Sequence, residues 1–256
     1  MAAARACGTT EVYGETKRPH KWPRSRRTRC RSASRITFIR VEGKSVLVCF
    51  AVPTEARPFR SRIAGRNDVR ILVTGMGQAN AAASIREVLA QHRPALVLTC
   101  GFAGGLNPKH AVGDILFDTD DPALSQRLLQ SSAQKATLHC SNTIIATAKT
   151  KATLHQQTGA DAVEMESGVI RHVCVENGIP SATVRIISDG AKDDLPIDFS
   201  QFLTTDQKVR IPSLALHVLV RPGRLIALLK FHQSLRRLAS KLADTLATAL
   251  PARSQP

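Results

Sequence analysis

Gly159-Ala-Asp-Ala-Val-Glu-Met-Glu-Ser167, a helical run, and then Ile179-Pro-Ser-Ala-Thr-Val-Arg-Ile-Ile-Ser-Asp-Gly-Ala191 form the stretch on which the fold turns. Val169, Ile170, Val173 and Val175 near one face predict a helix, stopped by Asn177-Gly178 with Pro180 just beyond. Ala182 to Ile187 is a β-branched apolar run bounded by turn signals, the pattern of a strand buried on both faces. Glu164 and Glu166 therefore precede a helix, and Asp189 closes a strand. In open α/β sheets ligands bind at the carboxyl ends of strands. Carboxylates gathered there suit acid-assisted bond cleavage, one ionised to hold a substrate hydroxyl and one protonated to donate to a leaving group. Each acid alone has a plainer reading, as a helix cap or dipole partner or a turn residue, so the rest of the chain decides.

Further toward the N-terminus, Ser45 to Ala51 reads as a buried strand, and Val52-Pro53-Thr54-Glu55-Ala56-Arg57 turns directly out of it, placing a further acid, Glu55, at a strand's carboxyl end. Val69 to Thr74 is a second strand, and Gly75-Met-Gly77-Gln-Ala-Asn80 opens an Ala-rich helix that reaches about Gln91. Glycine at a helix start lets backbone approach a ligand closely. The third glycine and the ribose-binding acid of a dinucleotide fingerprint are missing, which argues against a nicotinamide-dependent oxidoreductase. Ala95 to Thr99 is a third strand, leading into Cys100-Gly-Phe-Ala-Gly-Gly-Leu-Asn107. This alternation predicts a mostly parallel sheet covered by helices.

Val112-Gly-Asp-Ile-Leu116 reads as a turn into another strand, Asp121 to Ser131 as a helix, Thr143 to Thr147 as a short strand, and Lys192-Asp-Asp-Leu-Pro196 as a polar loop. Beyond it, Leu225, Leu228, Leu229, Leu235, Leu238, Leu242 and Leu246 recur at near-helical spacing with Arg236, Arg237 and Lys241 between them. They predict an amphipathic helix, or a pair broken around Arg221-Pro222-Gly223, over a C-terminal segment 211–256. Packing on the sheet is its first use; peripheral contact with a membrane surface is the second.

The 256 residues suit one α/β domain with tails. Net charge is +16, but residues 1–44 hold 12 of the 36 Lys and Arg and 3 of the 20 acids, leaving 24 basic against 17 acidic residues, a balance of +7. The polar, Arg-rich segment 1–43 is expected to be a disordered extension. A nucleic-acid partner is accordingly not expected. Six cysteines (Cys7, Cys30, Cys49, Cys100, Cys140, Cys174) lack metal-ligand spacing and a disulfide framework. Cys49, Cys100 and Cys174 sit in apolar runs as small hydrophobes, and a reducing, cytoplasmic setting is expected. No metal or cofactor is predicted.

Five segments in order then carry a resemblance: Ala51-Val-Pro-Thr-Glu-Ala56, Thr74-Gly-Met-Gly77 with Asn80-Ala81, Gly101-Phe-Ala-Gly-Gly-Leu106 with Val112-Gly-Asp114, Val163-Glu-Met-Glu-Ser167, and Arg185-Ile-Ile-Ser-Asp-Gly-Ala191. Together they resemble the purine and uridine phosphorylase superfamily, closest to its methylthioadenosine/S-adenosylhomocysteine nucleosidase and hopanoid-associated phosphorylase branches. The resemblance implies a three-layer α/β/α fold around a mixed, partly closed central sheet over a domain 44–210, assembled as homo-oligomers. It further implies that Asp189 shares a proton with a purine N7, that Glu166 accepts hydrogen bonds from ribose hydroxyls, that Met165 packs on the ribose, and that Glu55 polarises the attacking water. Gly77, Gly101 and Ala103 are implied to line the pocket, with Phe102, Glu164, Ser188 and Ala191 completing the substrate-binding set.

Phosphorylases of this kind commonly place Arg at the position of Glu55, and Arg and Ser at those of Thr99 and Phe102. A carboxylate repels phosphate and suits activation of water, so hydrolysis of a purine nucleoside is the expected reaction. Inorganic phosphate becomes a co-substrate only in the phosphorolytic alternative, which Arg57 and Arg60 leave open. Phe102, where nucleosidases commonly carry a small residue, fits an apolar 5′ substituent such as that of a hopanoid nucleoside. No Phe, Tyr or Trp lies between Phe117 and Phe199, the region where the family normally supplies a purine-stacking aromatic. A rival from another class is an inactive nucleoside- or nucleic-acid-binding protein.

Overall fold

The computed structural model describes residues 45–196 and 222–250, so the basic segment 1–43 and the boundary expected near 210 lie outside the described residues. In chain order the elements are β1 (Val46–Phe50), α1 (Pro53–Arg62), β2 (Val69–Val73), α2 (Gln78–Leu89), β3 (Leu96–Gly105), β4 (Ile115–Thr119), α3 (Pro122–Gln130), β5 (Gln134–Lys135), β6 (Leu138–Cys140), α4 (Ala148–Thr158), β7 (Ala162–Glu164), α5 (Ser167–Glu176), β8 (Ser181–Asp189) and α6 (Pro222–Ala249).

The strands form one mixed sheet in the order β2-β1-β3-β8-β4-β5. β2, β1, β3 and β8 are parallel, while β4 runs antiparallel to β8. Beyond the end of β1 the freed edge of β3, at Gly104 and Gly105, pairs antiparallel with β7, which holds β6, while Gly104 stays paired with β8. Alternate residues of β1 separate into two cores, as a strand buried on both faces requires. Val46, Val48 and Phe50 pack with Phe59 of α1, Leu124 and Leu128 of α3 and Leu238, Leu242 and Leu246 of α6. Leu47 and Cys49 pack with Ala81 and Ile85 of α2 and Ile170, Val173 and Cys174 of α5. Helix, sheet and helix therefore make the three layers.

Several expectations need correction. β3 does not stop at Thr99 but continues through its glycines to Gly105, because small residues there leave room for side chains that cross the strand from both sides. Thr143 to Thr147 is not a strand; Thr143, Ile144 and Ile145 have no strand partner and wall a cavity instead. The helix α4, unforeseen in this region, follows at once, begun by a Thr147/Thr150 capping box and ended by Gly159 at φ +67°. On α5 the buried face is Ile170, Val173 and Cys174, and Val175 points outward at 74% exposure. α6 starts at Pro222, within the break expected around Arg221-Pro222-Gly223, and what precedes it lies outside the described residues; its leucines 238, 242 and 246 are consumed by the core. Its apolar stripe over these turns is thus not free to lie on a membrane. No helix among the described residues is long and apolar enough to cross one.

Candidate active site

The carboxyl ends of β1, β3 and β8 and the β7–α5 junction open onto one cleft with a cavity of about 230 Å³. Glu55, Glu166 and Asp189, far apart in the chain, all line it, as do Phe102, Ala103, Met165, Glu164 and Ser188. Its other walls are largely apolar, with Val52, Met76, Ile144, Ile145, Val163 and Leu195. Phe102 is the only aromatic side chain among the described lining residues, and the region between Phe117 and Phe199 contributes Thr143, Ile144 and Ile145 to the wall.

Three expected members are not on the wall. Gly77 is drawn away because its N–H donates to Glu166 Oε1 at 2.9 Å, so the anion at the start of α2 is the protein's own. Gly101 lies behind the cavity, where a Cβ would fall 2.6 Å from Glu55 Oε1 and 2.7 Å from Arg185 Nη1. Ala191 lies past the end of β8, where its backbone N meets Gly105 rather than the cleft.

Glu55 enters from the first turn of α1, which begins at once after β1 because Pro53 supplies the first helical φ. Its Oε2 accepts the backbone N–H groups of Ala51 and Val52 at 3.0 and 3.1 Å, and its Oε1 accepts that of Phe102 at 2.9 Å. An ionised carboxylate offers about four acceptor sites, so one remains on Oε1, beside the cavity. Burial pushes this carboxyl up, against the opposing pull of the Phe102 N–H and of Arg185.

Glu166 holds the N-cap position of α5 without its side chain capping the helix, and keeps Oε2 clear of close partners, with Arg185 Nη2 at 3.9 Å. Burial raises its carboxyl to about 7, outweighing Arg185 and the Gly77 N–H, with Glu164 and Glu55 adding to the rise. Glu164 is different in kind. Its Oε2 accepts the N–H groups of Glu166 and Ser167 and the Arg185 guanidinium, and its Oε1 accepts the Ser167 hydroxyl at 2.6 Å. Burial pushes it up, yet Arg185 and the Ser167 and Glu166 donors prevail and hold it below the ordinary range. With its oxygens so occupied, Glu164 supports the site rather than offering acceptors to a ligand.

Asp189, the last residue of β8, accepts from Ser188 Oγ on Oδ1 at 2.5 Å and from Lys151 Nζ on Oδ2 at 2.5 Å. Sequence reasoning assigned roles to neither Arg185 nor Lys151. An arginine inside a six-residue apolar strand is a legible signal, since a cation there demands buried carboxylates. Lys151 carried no comparable mark, being one of two lysines in the first turns of α4, the other, Lys149, exposed. Among the described residues no three His, Cys, Asp or Glu side chains converge as metal ligands would.

A cleft at the strand tips of a three-layer mixed sheet, walled by converging carboxylates, is the arrangement of the α/β class whose ligand sites lie at the carboxyl edge of the sheet. Residues 45–120 and 119–219 match the profile of the Phosphorylase superfamily. The chain belongs to that superfamily, and is one of its enzymes. A curated relative, the 5′-methylthioadenosine/S-adenosylhomocysteine nucleosidase of Marinomonas sp. (strain MWYL1), is 29% identical over a match covering 57% of this chain and 78% of the relative. Among solved structures, the 5′-methylthioadenosine/S-adenosylhomocysteine nucleosidase from Helicobacter pylori with butyl-thio-DADMe-Immucillin-A superposes with a TM-score of 0.62 at 14% identity, over 82% of this chain and 98% of that one. Futalosine hydrolase of Helicobacter pylori strain 26695 gives a TM-score of 0.61 at 14% identity, over 80% and 97%.

Proposed function

We propose that this enzyme cleaves the N-glycosidic bond of a purine nucleoside of the adenine type, and does so by hydrolysis. The observation that carries the choice is the sign of the cavity wall: Glu55, Glu166 and Asp189 line it, and no Lys, Arg or His does so among the described residues. A phosphate dianion brought against that wall meets carboxylates without a facing cation. Arg57 and Arg60, the residues that kept phosphorolysis open, are exposed and outside the lining. Similarity to nucleosidases and to futalosine hydrolase supports the same reading.

The chain's own groups suit each part of the reaction. Departure of the purine leaves an oxocarbenium-like sugar, so the base is best released with its charge neutralised, and Asp189 is the donor to purine N7. The open Oε2 of Glu166 accepts from the ribose hydroxyls, bonds that strengthen as the sugar becomes positive. Met165 packs on the ribose. The remaining acceptor site on Glu55 Oε1 takes a proton from the attacking water, and burial, which raises that carboxyl, makes it a better base. No cofactor enters this scheme.

Product analysis with and without inorganic phosphate tests the proposal. Free reducing sugar and purine under both conditions are expected; a sugar 1-phosphate formed only with phosphate overturns hydrolysis. Asp189→Asn is expected to lower kcat about a hundredfold or more, and turnover equal to the unsubstituted enzyme removes Asp189 from its role.

A further inference from the structure

Lys151 has no place in the scheme above, yet it is the one lysine of the described residues with 0% exposure. Its three N–H groups are all taken: by Asp189 Oδ2 at 2.5 Å, the Gly190 carbonyl at 2.9 Å and the Asp193 carbonyl at 2.8 Å. It does not line the cavity; Asp189 stands between them. Gly104 makes room for the pair, since a Cβ there would lie 3.2 Å from Asp189 Oδ2 and 3.7 Å from Lys151 Cε.

Lys151 is an expensive way to hold a loop. It is the fourth residue of α4, so its charge sits at the positive end of the helix dipole, and an ammonium taken out of water loses strong hydration. The loop is held already: Asp194 Oδ1 accepts the Ala148 N–H at 2.7 Å, and the Leu195 N–H donates to the Ala146 carbonyl at 2.8 Å. A neutral side chain would serve as a further staple without the charge.

We propose that Lys151 is a positioning residue whose fixed charge serves Asp189 in bond cleavage, an inference that rests on the hydrolytic reading of the site. As the bond between the sugar C1′ and purine N9 breaks, its electron pair passes to the purine. The Asp189 O–H bond breaks, an N7–H bond forms, and the O–H pair stays on Asp189 as carboxylate charge. The ammonium 2.5 Å away stabilises that charge as it appears. The proton that Glu55 takes from the attacking water passes through solvent in the cleft to Asp189, which restores both carboxyls for the next turnover. The same three-point grip fixes the rotamer of Asp189, so its carboxyl needs no reorganisation in the transition state.

The test combines Lys151→Gln, Lys151→Ala, Asp189→Asn and the Lys151→Gln/Asp189→Asn pair. Gln keeps hydrogen-bond donors and removes the charge; it is expected to lower kcat at least tenfold with KM within about twofold. In the Asp189→Asn background the same change is expected to cost less than twofold, because the group it serves is gone. Ethylammonium is expected to restore kcat of Lys151→Ala in a saturable manner, which a loss of fold would not allow. Where Lys151→Ala fails to fold, the Gln variant and its cycle decide alone. A Lys151→Gln enzyme with unchanged kcat, or equal losses in both backgrounds, overturns the inference. If Asp189→Asn itself retains full turnover, it is the hydrolytic assignment of Asp189 that fails.

Discussion

Arg185 Nη2 and Glu164 Oε2 meet inside the protein with side chains only 2% and 1% exposed, and this pair is the anchor of the acidic site. The same guanidinium reaches Thr99 Oγ1 at 2.9 Å and stands 3.9 Å from Glu166 Oε2. Its favourable partners, in order of weight, are Glu164, Glu166 and Glu55, which together overcome the cost of its burial. Arg185→Met leaves three buried carboxylates without a cation, and breaking a buried pair in this way costs about 3–5 kcal/mol. The stranded carboxyls escape by taking up protons, so the loss is expected to be larger at pH 8 than at pH 5. Urea unfolding at both pH values checks it, and equal losses would contradict the shared-cation account.

Glu166 links pH to stability and to activity with opposite signs. Below pH 4.5 its carboxyl is protonated in folded and unfolded chains alike, and burial costs nothing. Between 4.5 and about 7 the unfolded chain ionises while the folded one stays protonated, so stability falls as pH rises. Above about 7 a penalty on the order of 3 kcal/mol stands in full. Glu166→Gln is expected to flatten this part of the curve, its melting temperature gaining on that of the unsubstituted protein from pH 5 to 8. Activity runs the other way. If the ionised form accepts from the ribose hydroxyls, kcat/KM rises through a midpoint near 7 in the free enzyme, and Glu166→Gln abolishes that limb along with most of the turnover.

Gly101→Ala tests the close packing behind the cavity. The added Cβ would sit well inside contact distance of Glu55 Oε1 and Arg185 Nη1, and such overpacking costs about 1–3 kcal/mol. Because both displaced groups belong to the acidic site, turnover is expected to fall at least tenfold. Gly159→Ala is the control: φ is +67° but nothing lies within 4 Å of the new methyl, so it is expected to lose about 1 kcal/mol of stability with kcat unchanged.

The parallel strands and their helices were legible because each element announces itself locally, in β-branched runs of strand length and in glycine or proline stops. The three acids were legible for the same reason, since each falls at a strand end or helix start. What could not be read is tertiary. Thr143 to Ile145 has the composition of a strand, but no neighbour is present to pair with it, and it becomes cavity wall. Helix α4 was hidden because its exposed residues are polar on most sides, although the Thr147/Thr150 box and Gly159 mark its ends. Nothing local distinguishes Lys149 from Lys151; only the arrival of Asp189 from β8 separates an exposed lysine from a buried one.

The C-terminal helix gives the last prediction. Leu242 is 1% exposed in the cluster that joins α1, α3 and the sheet, whereas Leu229, on the same helix, is 53% exposed. If α6 is part of the fold's third layer, Leu242→Ala removes buried methyl groups and leaves a cavity, at a cost of about 2–5 kcal/mol. Leu229→Ala is expected to change stability by no more than about 0.5 kcal/mol. Both are checked by chemical denaturation without lipid. A helix whose apolar stripe served a membrane surface would show the reverse: little effect of Leu242→Ala in buffer, and a loss of vesicle binding instead.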